Sequence, residues 1–124
     1  MEKSELILSI LKLTIEGEKY EKKISQQIQY LNVKDTEHTG IGLFVYFDYN
    51  AKIEQFRLSK TELEDLFGDF NHQLEKYELI NSSKNILADL TVHFENGIID
   101  CIEIWNKTGA YPIEELTKFE IKKF

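Results

Sequence analysis

Three features of this 124-residue sequence predict an α+β fold, with N-terminal helices packed on an antiparallel β-sheet of about five or six strands. Apolar residues recur every three or four positions over residues 3–31. From Val33 the recurrence shortens to two. From Ile41 onward, β-branched and aromatic runs are separated by glycine, asparagine and serine turns. Helices first and strands afterwards favour segregated layers over alternating βαβ units. The length predicts a single domain over residues 1–124.

In the first segment, Leu6, Ile10, Leu13, Gly17, Tyr20, Ile24, Ile28 and Leu31 form one helical stripe. Lys12, Lys19, Glu21, Lys22, Lys23, Gln26 and Gln27 fall on the opposite, solvated side. A helix-interior glycine costs roughly 1 kcal/mol, so two helices broken near Gly17 are expected, with one bent helix as the alternative. Ile41–Phe47 reads as a strand between Thr39-Gly40 and Asp48-Tyr49-Asn50, and residues 53–58 as its return strand. Ser59-Lys60-Thr61-Glu62 has the capping-box pattern and opens a short helix over 60–67 that ends at Gly68. Residues 69–80 carry neither period cleanly and are read as a strand; residues 82–85 are a loop by composition.

Residues 86–106 predict a hairpin turning at Asn96-Gly97 in a type I′ turn. A two-residue turn sets the register, placing Glu95 opposite Ile98, His93 opposite Asp100, Leu90 opposite Glu103 and Ala88 opposite Trp105. Pro112 to Leu116 reads as a turn or single helical turn, and Phe119 to Phe124 as a last strand.

Composition narrows the function classes. The chain is 42% hydrophobic and 30% charged, and a domain of this size buries roughly two thirds of its unfolded surface. That excludes a disordered adaptor, a collagen-like repeat and a cysteine-stapled module. Fifteen basic against 22 acidic residues leave a net charge of −7, which repels phosphate; no nucleic acid and no anionic membrane is expected as a partner. The lone Cys101 fits a reducing cytoplasm. The apolar stretch Leu6–Ile15 is preceded by Glu2 and Glu5 and interrupted by Lys12, unlike a secretory signal. A cytoplasmic location is therefore expected.

Few residues point to chemistry. His38, His72 and His93 lie outside any metal-ligand spacing, so no metal and no cofactor is expected. His38 and His72 read as loop residues, and His93 as half of a cross-strand ion pair with Asp100. Thr39-Gly40-Ile41-Gly42 lacks the Lys-Ser/Thr of a phosphate loop and precedes a strand, so both glycines are assigned to a turn and to close backbone packing. Glu103 is buried with a partner, marks a pocket with Trp105 and Tyr46, or lies at the rim if Ile98, Ile102 and Ile104 form the core face. Cys101 reads as a small core residue. Trp105, Tyr111 and Pro112 form a surface anchor or cap the sheet. Glu62, Glu64, Asp65 and Asp69 are candidate partner-binding residues, with a solvated helix face as the plain alternative.

Two stretches, Glu37-His-Thr-Gly-Ile-Gly-Leu-Phe-Val-Tyr-Phe47 and Val92-His-Phe-Glu-Asn-Gly-Ile-Ile-Asp-Cys-Ile-Glu-Ile-Trp105 followed by Tyr111-Pro112, carry a resemblance. Together they resemble a loose group of small uncharacterised bacterial α+β proteins, and similar acidic proteins include immunity partners of polymorphic toxin systems. The resemblance implies a non-enzymatic binding protein of the immunity type that neutralises a toxin, and supplies no catalytic residues; separately, the net charge of −7 makes a basic protein the expected partner. The alternatives are a small ligand-binding protein or enzyme with a pocket near Glu103 and Trp105, and a homodimeric structural protein.

Overall fold

The computed structural model describes residues 3–124. Helix α1 spans Glu5–Ile15 and α2 spans Glu21–Gln27, continued by a 3₁₀ turn at Ile28–Tyr30. Strands β1 (Leu31–His38) and β2 (Gly42–Tyr49) follow, then a 3₁₀ segment at Ala51–Phe56 and helix α3 (Lys60–Phe67). Strands β3 (Gln73–Asn81), β4 (Ile86–Glu95), β5 (Ile98–Asn106) and β6 (Glu120–Lys123) complete one antiparallel sheet in the order β1-β2-β5-β4-β3-β6. The fold is α+β with six strands. Among the described residues, no helix is long and apolar enough to cross a membrane.

The N-terminal stripe breaks where the glycine stands. Ser4 caps α1 by accepting from the Ile7 amide, and the chain leaves the helix through Gly17 at φ +79°. The Gly17 amide donates to Glu21 at 2.8 Å, tying the break to the first turn of α2. Leu6, Ile7, Ile10, Leu11 and Ile15 of α1 and Ile24 of α2 are buried against one face of the sheet, on Val45 and Phe47 of β2, Leu90 and Val92 of β4, and Ile102 and Ile104 of β5. Helix α3 joins this layer through Phe67, whose ring sits 5.5 Å from that of Phe94. The capping box at Ser59 and Glu62 is formed in both directions.

The structure corrects several expectations. Residues 53–58 are not a return strand, because both flanks of β2 are taken by β1 and β5. Asn50 instead accepts from the Lys52 amide and starts a 3₁₀ segment that buries Ile53 and stacks Phe56 on Tyr30, centroids 6.0 Å apart. Pro112–Leu116 is irregular chain and forms no helical turn; Tyr111 and Leu116 bury their side chains and pin it to the core. The β4–β5 hairpin turns at Asn96 (φ +50°) and Gly97 (φ +83°), and Glu95 faces Ile98. One pair further on, a β-bulge leaves Asp100 without a partner. Every later pair shifts by one: His93 faces Cys101, Thr91 faces Glu103, Leu90 faces Ile104 and Asp89 faces Trp105. The predicted His93–Asp100, Leu90–Glu103 and Ala88–Trp105 pairs are therefore absent.

Gln27, assigned by periodicity to the solvated side, is fully buried at 0% exposure. Its amide nitrogen donates to the carbonyls of Phe56 (2.8 Å) and Gly97 (2.9 Å), and its oxygen accepts from the Ile99 amide (2.9 Å). One side chain thus joins α2, the 3₁₀ segment and the hairpin turn. Gly97 permits this junction because a Cβ there would lie 2.3 Å from the Leu58 carbonyl oxygen.

Candidate functional site

Strand alternation assigns the residues of β2, β4 and β5 that do not enter the core to the opposite face, over which no described helix packs. Direct cross-strand pairs run Glu37–Phe44–Glu103–Thr91 and Asp35–Tyr46–Cys101–His93, with Trp105 between Gly42 and Asp89. The bulge at Asp100 decides this arrangement. By returning Ile102 and Ile104 to the core side, it turns Glu103 and Trp105 outward. Of the readings open for Glu103, it is the rim position on the outer face, with Ile102 and Ile104 buried beneath.

The face is aromatic at its centre and acidic around it. Phe44 and Tyr46 stack with centroids 5.9 Å apart and planes 10° from parallel, and Trp105 is 50% exposed. The Tyr46 hydroxyl donates to Glu37 at 3.1 Å. Glu103 meets Nε2 of His93 at 2.9 Å, so the carboxylate partner of His93 is Glu103 and not Asp100. Thr91 donates to Glu75 at 2.7 Å, and Lys107 bridges Glu78 (2.7 Å) and Asp89 (2.8 Å).

Cys101, His93 and Glu103 place a thiol, an imidazole and a carboxylate side by side, a grouping the sequence register did not reveal. Burial, reinforced by the Asp100 and Glu103 charges, pushes the Cys101 thiol up to about 12. At neutral pH it stays protonated, and a thiol is a poor nucleophile in that form. Partial burial, with the hydrogen bond to Glu37, also raises the Tyr46 phenol. Among the described residues, no cluster of three or more His, Cys, Asp or Glu side chains is arranged to hold a metal ion.

The acidic run divides. Glu62 completes the capping box and pairs with Lys23 at 2.6 Å; Asp65 accepts from Tyr20 at 2.6 Å and pairs with Lys19 at 3.2 Å. The Lys23 bond and the Ser59 amide hold Glu62 below its ordinary range, and Tyr20 and then Lys19 do the same for Asp65. Both clamp α3 to the α2 region. Glu64 and Asp69 are exposed and make no ion pair among the described residues.

The remaining candidates are dispersed. His72 stacks on Phe67 at 5.0 Å, and His38 ends the edge strand β1. Gly40 (φ +89°) makes its turn, and Gly42 lies so close to β5 that a Cβ would stand 2.1 Å from the Ile104 carbonyl oxygen. Trp105 lies on the outer face whereas Tyr111 is buried, so they do not form one anchor. An apolar cleft of about 160 Å³ lies on the helical side of the sheet, and none of Glu103, Trp105 and Tyr46 lines it. Sequence reasoning also missed Asn106. This buried side chain accepts from the Leu87 amide and donates to the carbonyls of Gly109 and Ala110, holding the loop after β5.

These features define a small acidic α+β domain with one helix-covered and one open sheet face. Comparison with protein-family models, with curated proteins and with solved structures finds no match.

Proposed function

We propose that this chain is a non-enzymatic binding domain for a basic protein, with the open sheet face as its main contact and Glu64 and Asp69 as a secondary one. The observation that carries the reading is the stacked Phe44–Tyr46 pair and half-exposed Trp105, set among Asp35, Glu37 and Glu103 on a face no described helix covers. Aromatic side chains supply anchors of high energy per residue, and the surrounding carboxylates speed encounter with a cationic partner. A net charge of −7 acts in the same direction. An immunity protein neutralising a basic toxin is the specific role this reading favours, in line with the sequence resemblance. The protonated Cys101 thiol removes the nucleophile that the neighbouring imidazole and carboxylate would serve.

The test is co-expression with the products of the adjacent genes, followed by co-purification and a growth assay. A complex that relieves toxicity and is lost in Phe44→Lys and Trp105→Lys, with folding intact by circular dichroism, supports the assignment. Absence of any complex, or a complex indifferent to both substitutions, overturns it.

A further inference from the structure

Two carboxylates on the open face stand apart from those the fold neutralises. Glu78 and Asp89 share Lys107, Glu62 and Asp65 pair with Lys23 and Lys19, and Glu54 pairs with Arg57. Glu37 and Glu103 pair with no lysine or arginine among the described residues. Instead the Tyr46 hydroxyl donates to Glu37 at 3.1 Å, and Nε2 of His93 meets Glu103 at 2.9 Å. A phenol or a neutral imidazole orients a carboxylate without cancelling its charge. The same two residues flank one ring. Phe44 is the direct cross-strand neighbour of Glu37 on β1 and of Glu103 on β5, and such neighbours have Cβ atoms about 4.5–5.5 Å apart. One side of the Phe44 ring is stacked on Tyr46. Two residues the other way along β2 stands Gly42, which offers no side chain to cover the ring's second side.

We infer that Phe44, between Glu37 and Glu103, is the seat for an arginine side chain of the basic partner, an assignment that rests on the open-face reading above. Charge complementarity selects a cation, and shape selects arginine over lysine. A guanidinium is planar and weakly hydrated, and it stacks on aromatic faces. It therefore adds a third layer to the Tyr46–Phe44 stack, while the N–H groups at its edge reach the carboxylates on either side. A lysine ammonium is a compact, strongly hydrated charge that meets one carboxylate and gains little from a parallel stack. Half-exposed Trp105, two residues beyond Glu103 on the same face of β5, receives the apolar stem.

The experiment titrates the full chain with hexa-arginine amide and with hexa-lysine amide at equal ionic strength, reading aromatic-ring and indole N–H NMR signals. Hexa-arginine should bind about fivefold more tightly, with the largest shifts at Phe44, Tyr46 and Trp105. Phe44→Leu, which keeps an apolar side chain, should abolish the preference. Glu37→Gln with Glu103→Gln should weaken hexa-arginine at least about threefold more than Glu114→Gln with Glu115→Gln, which removes the same charge at exposed positions on the helical side. Equal affinity for the two peptides, unmoved Phe44 and Tyr46 rings, or equal weakening by the two double substitutions would each overturn the assignment. A complex with an adjacent gene product combined with no arginine preference overturns this seat alone. No such complex combined with an intact preference overturns the protein-partner reading alone.

Discussion

Gln27 is the residue whose loss should be felt most out of proportion to its size. Replacing it with leucine keeps roughly the volume but leaves the Phe56 and Gly97 carbonyls and the Ile99 amide without this partner. Because each orphaned buried group costs about 1–3 kcal/mol and the Gly97 carbonyl retains the Leu58 amide, Gln27→Leu should destabilise the chain by about 2–4 kcal/mol in urea unfolding. Gln26→Leu, one position away and exposed, should change it by less than about 0.5 kcal/mol. The contrast was not legible in the sequence, since both glutamines sit on the polar side of the same period. Only the three backbone groups converging from distant segments identify which one turns inward. Cys101 makes a second case at this scale. With its thiol raised to about 12 by burial, native protein at pH 8 should react with a disulfide reagent at least about a hundredfold more slowly than urea-unfolded protein. Equal rates would show that the thiolate is accessible and would reopen the question of a nucleophile beside His93.

Among the elements, α3 was read most completely and the β4–β5 hairpin most instructively. The Ser59–Glu62 box, the helix bounds and the stop at Gly68 are local signals, and the structure reproduces them. Ser59→Ala should cost about 1 kcal/mol by removing the cap. The same helix gives a pH dependence with a definite sign. Glu62 and Asp65 are held below their ordinary values by Lys23 and Tyr20 respectively. Their contribution is therefore present above the ordinary carboxylate range and is lost as the pH falls through the depressed folded-state values. Amide protection factors in α3, taken relative to the intrinsic exchange rate at each pH, should fall in that acidic window, and Glu62→Gln with Asp65→Asn should flatten the dependence. These carboxylates are solvated, so the effect is modest and salt-sensitive. In the hairpin, the turn was legible because Asn96-Gly97 dictates it. The bulge was not, because Asp100 carries no distinctive local signal and the alternation on either side looks continuous. That single unpaired residue separates a face with a buried Glu103 from the face observed. The 51–56 segment failed for a related reason: its apolar Ile53 and Phe56 are three apart, a 3₁₀ spacing, and the places beside β2 were already occupied.

At the scale of the whole molecule, the charge balance sets an expectation about association. If a basic protein docks on the open face, the association rate should fall steeply with ionic strength while the dissociation rate stays nearly constant. Stopped-flow measurements at two salt concentrations would separate these. Glu64→Lys with Asp69→Lys should slow association about tenfold without unfolding the chain, because neither side chain is committed to an internal ion pair among the described residues. A dissociation rate that rises with salt and an unchanged association rate would place the binding energy in buried pairs instead. Composition and the order of helical and β periods announced the layers and the acidity. They did not announce which sheet face stays open, since that depends on register. The edges are quiet: β1 is bulged and carries Lys34, Asp35 and Glu37, and β6 is four residues long with Glu120, Lys122 and Lys123. Edge-to-edge pairing between copies is accordingly disfavoured.

A sheet covered on one side only has a consequence for inheritance. Along β2 and β5 the odd and even positions answer to different selective pressures: Val45, Ile102 and Ile104 are bound to the core, while Phe44, Tyr46, Glu103 and Trp105 are bound to whatever lies outside. Substitutions at the second set can accumulate with little loss of foldedness, so specificity can drift and be re-selected on a constant scaffold. A saturation library scored for folding alone should show that two-residue rhythm as alternating tolerance, broken in phase at Asp100.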